Sequence, residues 1–367
     1  MSLQEALQLS RASKLVNERL DGGWTVVEQL TRPGELGAED LTGSWFSFGY
    51  VAEKGGKKAF LKVVDVERAL ADDGKTSLMN RLKNLTDVHT FECDILDVCT
   101  KARLDKVVQI LGKGEIPAAA NAPMGIPIPY ILFEHAEGGD ARKLVSRSNK
   151  IDDAWRLSVL HQVAVGIQQL HSQDIAHQDL KPSNILLFSK DGSNAKIGDL
   201  GRASRKGTDT KHDLENWAGS TRYAPPEQVY GLIPEHWVDR REGCDLYHLG
   251  SLAIFLFTGV SLTSYYVSNI SKDVLPKAWT GNGTCDYKTA LPVLTSVFTS
   301  FIDNVCCALP EWGKAELSQI IISACNPDFT KRGDLNARKK QGNPIGIETF
   351  VSRFDRLAKR ALVEVRQ

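Results

Sequence analysis

The chain has 367 residues, 42% of them apolar and 25% charged, which excludes a wholly disordered or fibrous protein. Its 45 Lys and Arg balance 45 Asp and Glu, so no global charge pulls it toward nucleic acid or an anionic membrane. The seven cysteines (Cys93, Cys99, Cys244, Cys285, Cys306, Cys307 and Cys325) are odd in number and form no C-x-x-C pair. That pattern favours reduced thiols in a cytoplasmic setting over a disulfide framework or a zinc site.

In chain order, Glu5 and Arg11 interrupt the N-terminal apolar residues, so no secretory signal is expected there. Residues 3–20 read as a weak helix, 24–30 as a strand and 31–43 as a Pro/Gly-containing loop. Runs 46–52 and 58–66 are β-like, and the EKGG between them reads as a hairpin connection. Segment 67–86 carries no clear period. Residues 89–104 have helical spacing, with Phe91, Ile95, Val98 and Cys99 on one side. Runs 106–111 and 129–135 are β-rich again and flank a loop at 112–128.

After Gly138 and Gly139 long helices take over, the first marked by Leu157, Leu160, Ala164, Ile167 and Leu170. Residues 184–201 form a short β-like region around an Asp-Gly turn. Residues 246–271 carry no charge, but the strongly apolar run Leu249–Val260 falls short of the roughly 20 residues a membrane span needs, so it reads as a buried helix. The adjacent Cys306 and Cys307 read as buried packing. Phe350, Phe354, Leu357 and Ala361 make a final helical stripe. A strand-rich first third joined to a helical remainder is an α+β, two-lobed arrangement.

The segment richest in chemistry is His177-Gln178-Asp179-Leu180-Lys181-Pro182-Ser183-Asn184. It places a carboxylate, a cation and an amide within six residues. Those groups suit accepting a hydroxyl proton, steadying a phosphoryl group and holding Mg²⁺. The run resembles the catalytic loop H-R-D-L-K-x-x-N of eukaryotic-type protein kinases, with Gln178 in place of Arg. Asp199-Leu200-Gly201 resembles D-F-G, and Ala59-Phe60-Leu61-Lys62 resembles the V-A-I-K strand. Glu92 lies in a run similar to the family's E-I-x-x-L and would pair with Lys62; Glu67 and Asp94 are its rivals. Ile131–Gly139 resembles the hinge, with Phe133 at the back of the adenine pocket. Gly219–Glu227 resembles the segment ending A-P-E, and Arg332 stands where that Glu finds its partner. Asp245–Gly250 resembles the start of the family's central buried helix.

The resemblance covers about residues 24–335 and implies a bilobal kinase fold. Its parts would be an N-terminal extension (1–23), an N-lobe (24–134), a C-lobe (135–335) and a C-terminal helical extension (336–367). It implies a Ser/Thr protein kinase, since Lys181 follows the base as in that type, using ATP and Mg²⁺ on a protein substrate, with no nucleic acid or membrane partner. Asp179 and Lys181 would be catalytic, and Asn184 and Asp199 would hold the metal. ATP would meet Lys62, Glu92, Gly43, Ser47 and the backbone of Glu134 and Ala136. The G-x-G-x-x-G loop is degenerate, with Ser47 at its third glycine position. A pseudokinase scaffold and a small-molecule kinase are the alternatives. Gln178 cannot pair with a phosphorylated activation loop as Arg would, leaving Arg202, Arg205 or Lys206 as other cations.

Overall fold

A computed structural model describes residues 10–30, 47–70, 76–118, 125–147, 151–189, 191–208, 217, 219–340 and 345–364. The chain divides into two compact units, one of residues 1–103 and 108–136 and the other of 104–107 and 137–367.

The first unit is built on six strands: β1 (Arg19–Leu20), β2 (Trp24–Gln29), β3 (Ser47–Lys54), β4 (Lys57–Val64), β5 (Ile110–Ile116) and β6 (Ile128–Glu134). They form one antiparallel sheet in the order β1-β2-β3-β4-β6-β5. Gly55 and Gly56 close the β3–β4 hairpin with φ of 55° and 78°, a two-residue turn that glycine adopts without steric penalty. Alternation divides the residues between two faces. Phe48, Tyr50, Ala52, Ala59, Leu61, Val63, Tyr130 and Leu132 bury on one face together with Ala12 and Leu15. Gly49, Phe60, Lys62, Ile131 and Phe133 lie on the other. A short helix, α1 (Val66–Ala69), precedes the long α2 (Leu78–Lys101), which is capped by the Ser77 side chain on the Asn80 N–H.

Several expectations change here. The described part of 3–20 is not a helix: a 3₁₀ turn at Arg11–Ser13 leads into β1, which pairs with β2. This segment is tied to the unit by the Ser10 hydroxyl on Asp65 (2.8 Å) and the Tyr50 hydroxyl on the Ala12 carbonyl (2.6 Å). Helix α2 begins eleven residues before the expected 89, and β5 runs to Ile116, well inside the expected 112–128 loop.

The second unit holds β7 (Gly139–Asp140), α3 (Ala141–Arg147), α4 (Asp153–His171), β8 (Ile175–Ala176), β9 (Ile185–Leu187), β10 (Ala195–Ile197) and β11 (Ser204–Arg205). It continues with α5 (Pro226–Val229), α6 (Gly243–Thr258), α7 (Leu262–Asn269), α8 (Tyr287–Cys306), α9 (Lys314–Cys325) and α10 (Ile347–Glu364). Nearly all of α6 is buried, which accounts for its lack of charge beyond Asp245. Helix α8 is long and apolar enough to cross a membrane by composition, yet Tyr287, Leu294, Phe298, Phe301 and Val305 face the unit's core. The stripe Phe350, Phe354, Leu357 and Ala361 of α10 is buried, and the helix lies along α4, with Val351 accepting from His161 Nδ1 at 3.2 Å. Cys307 is exposed and Cys306 half-buried against the Ser318 hydroxyl, so the pair is not the buried packing expected: one complete turn of helix separates inward positions, and adjacent residues diverge.

Candidate active site

In the first unit, Lys62 on β4 meets Glu92 on α2, with Nζ 2.7 Å from Oε1. The side chains are 19% and 8% exposed, so the pair stands at the edge of the buried region. Neither rival takes this place: Glu67 accepts the Arg11 backbone N–H at 2.9 Å, and Asp94 is exposed. Phe133 is buried and its ring centroid lies 6.2 Å from that of Phe60. The Glu134 N–H donates to the Gln109 carbonyl (3.1 Å), while its carboxylate accepts the Gln109 N–H (2.8 Å). Ser47 opens β3 and is half-buried; Gly43 lies outside the described residues.

In the second unit, the loop between β8 and β9 carries Asp179, Lys181 and Asn184. Asp179 is only 1% exposed. Its Oδ2 receives Lys181 Nζ at 2.9 Å, and its Oδ1 receives the Ser220 N–H at 3.0 Å. The Asn184 amide donates to the Asp179 carbonyl at 2.8 Å, which turns its own oxygen away from Asp179. His177 braces the loop: its Nε2–H donates to the Gly198 carbonyl (3.0 Å) and its Nδ1 accepts the Asp179 N–H (3.2 Å), one tautomer serving both bonds. That bond joins the Asp179 loop to the residue before Asp199.

The backbone here is strained. Gln178 has φ of 67° and Asp199 φ of 60°, a left-handed conformation uncommon for residues other than glycine. Asp245, fully buried at the start of α6, holds the first strained point by accepting the N–H groups of His177 and Gln178, both at 2.8 Å. His171 Nε2 donates to the same carboxylate at 2.9 Å. Burial alone would raise the Asp245 pKa, but the bonds and charge of His171, the nearby His177 and the Gln178 N–H outweigh it, and the net shift is downward. The Gln178 amide closes on Arg241, accepting from its guanidinium at 2.7 Å and donating to its carbonyl at 3.1 Å. Farther along, Glu227 and Arg332 form the expected pair, bidentate at 2.8 and 2.9 Å and wholly buried.

Three contributors escaped the motif reading. Asp245 was visible only as a helix start, yet it anchors the Asp179 loop. Arg241 and Gln178 are 63 residues apart, and no local pattern links them. Gly219 belongs to a segment already singled out, but its reason is steric: a Cβ there would stand 2.5 Å from Asp179 Oδ1 and 2.7 Å from the Gln178 carbonyl.

A β-rich unit carrying a lysine–glutamate pair, and a helical unit carrying Asp179, Lys181, Asn184 and Asp199, define a protein kinase. Residues 126–337 match the family model described as protein kinase domain, more than half the chain, and the chain belongs to that family. It is similar to the serine/threonine-protein kinase RAD53 of Saccharomyces cerevisiae, at 25% identity over 59% of this chain and 26% of that protein. It resembles the inhibitor of nuclear factor kappa-B kinase subunit alpha of Gallus gallus at 31% identity, over 40% of this chain and 19% of the relative. The serine/threonine-protein kinase Nek2 of Mus musculus is 32% identical over 34% of this chain and 29% of its own length. The matches thus span under a third of each relative.

Proposed function

We propose that the chain transfers the γ-phosphate of ATP to Ser or Thr hydroxyls of a protein. The observation that carries this reading is the Asp179 cluster: a buried carboxylate paired with Lys181, next to an amide oriented by Asp179 itself. In the reaction, the substrate hydroxyl oxygen forms a bond to the γ-phosphorus as the bridging P–O bond breaks and ADP departs. Asp179 orients that hydroxyl and takes its proton, and Lys181 steadies the charge on the moving phosphoryl group. Lys62, held by Glu92, would contact the α- and β-phosphates. The Glu134 carbonyl and the Ala136 backbone would meet the adenine edge, since the Glu134 N–H is engaged with Gln109.

Mg²⁺ would be held by Asn184 and Asp199. The donor set fits: a carboxylate and an amide oxygen are hard ligands, and among the described residues the Asn184 oxygen has only a long 3.4 Å contact from the Ser183 hydroxyl. No cluster of three or more His, Cys, Asp or Glu competes for a metal among the described residues, and Mg²⁺ characteristically takes one or two protein oxygens plus phosphates and water. Once bound, the ion would neutralise developing phosphate charge.

Lys181 after the base, together with the Ser/Thr kinases among the relatives, supports the hydroxyl class of acceptor. None of the seven cysteines is in a disulfide, which supports a reducing, cytoplasmic compartment. The test is intact mass after incubation with Mg·ATP and a generic protein acceptor, beside Asp179→Asn and Lys62→Ala. Phosphate gains in the wild type alone, mapped to Ser or Thr, are expected. Equal gains in Asp179→Asn would overturn the assignment.

A further inference from the structure

Trp279 lies in the loop between α7 and α8, a stretch that carries none of the motifs above. Pro276 leads into a 3₁₀ turn over Lys277–Trp279, and Thr280 ends it in a left-handed conformation with φ of 62°. The Gly281 N–H then donates back to the Pro276 carbonyl at 3.1 Å. A Cβ at 281 would run into the Leu275 carbonyl, so this turn requires glycine. The turn delivers the indole between two other rings. It stacks on Tyr266 of α7, with centroids 5.7 Å apart and planes 14° from parallel, and meets Tyr230 edge-on at 6.2 Å. The Tyr230 hydroxyl in turn donates to the Val274 carbonyl at 2.9 Å, which ties the loop down. Trp279 is only 4% exposed, and an indole so enclosed needs an acceptor for its N–H. It finds the Thr221 carbonyl, 2.9 Å away and 58 residues back in the chain.

Thr221 directly follows Ser220, whose N–H donates to Asp179 Oδ1 at 3.0 Å. The Ser220 carbonyl accepts the N–H groups of Tyr223 and Ala224, both at 2.9 Å. The Ser220–Thr221 dipeptide is therefore pinned at both ends, its first N–H on the Asp179 carboxylate and its last carbonyl on the indole. A carboxylate is aimed by the donors it accepts from, and a small misplacement of it is costly to transfer. We propose that Trp279 is a positioning residue for phosphoryl transfer: by holding the Thr221 carbonyl it keeps the Ser220 N–H on Asp179. It acts through the backbone of 220 and 221 and not on the reacting atoms. This rests on the reading of Asp179 as the group that takes the hydroxyl proton, and adds to it a residue that aims that group.

The experiment separates the indole N–H from the bulk of the ring, using the full chain. Trp279→Phe keeps a six-membered ring in the stack and removes the donor. Trp279→His keeps a ring N–H, at Nε2 in the place of the indole Nε1, and loses the six-membered ring. With casein as acceptor, kcat is expected to fall about tenfold in Trp279→Phe and to stay within about threefold of the wild type in Trp279→His. KM for Mg·ATP should not change in either. Thermal unfolding should rank the two the other way, His below Phe, because His fills less of the apolar site. Packing alone predicts that activity follows stability, so opposite orders single out the hydrogen bond. Tyr230→Phe leaves every ring in place and frees only the Val274 carbonyl, and it carries the test should the stack not tolerate a smaller ring. It should lower kcat about threefold in the same way. Wild-type kcat in both Trp279→Phe and Tyr230→Phe, or a His variant slower than the Phe variant, would overturn the proposal. A wild type that transfers no phosphate, to casein or to itself, would instead sink the transfer reading and the positioning role with it.

Discussion

Two ion pairs of nearly equal length do different work in this protein. Lys62 and Glu92 meet through a single 2.7 Å contact at the edge of the first unit, with the lysine 19% exposed. Glu227 and Arg332 meet twice, at 2.8 and 2.9 Å, with no exposure at all. Arg332 also donates to the carbonyls of Asn326 and Gly243 and lies over the Tyr247 ring, 5.0 Å from its centroid. Burial pushes its pKa down, but the Glu227 carboxylate reverses that and holds the guanidinium charged. The first pair leaves a charge partly open to solvent; the second uses its contacts to lock α5 to the start of α6 and to the segment after α9. Distance alone does not separate the two pairs, whereas exposure does.

The largest effect should come from breaking the sealed pair. Arg332→Ala leaves Glu227 buried without its partner, with an expected loss of about 3–5 kcal/mol. Thermal unfolding should show a midpoint about 10 °C lower. A loss under about 1 kcal/mol would mean that burial does not distinguish the two pairs. The same enclosed region should give the chain an acid sensitivity. Burial holds His248 down to about 4, against partial opposition from Asp245. An unfolded histidine takes its proton near pH 6.5, so acid favours the unfolded state as pH falls from about 6.5 toward 4. About 3 kcal/mol should be lost across that window. His248→Gln should flatten this part of the stability–pH curve; an unaltered slope would assign the sensitivity elsewhere.

A third test is kinetic. Gly219→Ala drives a methyl into Asp179 and the Gln178 carbonyl. Displacing the carboxylate by an ångström should slow phosphoryl transfer about 100-fold, with nucleotide affinity unchanged. Transfer at the wild-type rate would show that the loop moves aside.

How much of this was legible beforehand follows the same division between local and distant. The Asp179 loop, the Asp199 segment and the partners Glu92 and Arg332 could be read through the family resemblance, because each stands in or beside a short motif that carries it. Helix α2 was read too short because its first turns, Leu78 to Asn84, bear exposed or half-exposed side chains and show no apolar face. Strand β5 was ended too early, at 111, because Gly112 and Gly114 mimic a loop, although Leu132 and Tyr130 lie across from them on β6. That a side chain at Gly49 would come within 3.0 Å of the Phe60 ring required the register of two strands, and the bond between Gln178 and Arg241 required the fold of the whole second unit.

The smallest stability change should come from the open pair, and it is the sharpest test of the comparison. Lys62→Met keeps most of the side-chain volume along the sheet and removes only the charge. Glu92, at the rim, can recover part of its solvation from water, as Glu227 cannot. The expected loss is therefore about 1 kcal/mol or less, near the value of exposed pairs, while phosphate transfer falls below detection. A folded but inactive variant is the signature of a charge retained for a ligand. If Lys62→Met instead unfolded the chain as readily as Arg332→Ala, the pair would be part of the scaffold, and the assignment of Lys62 to nucleotide phosphates would lose its physical basis.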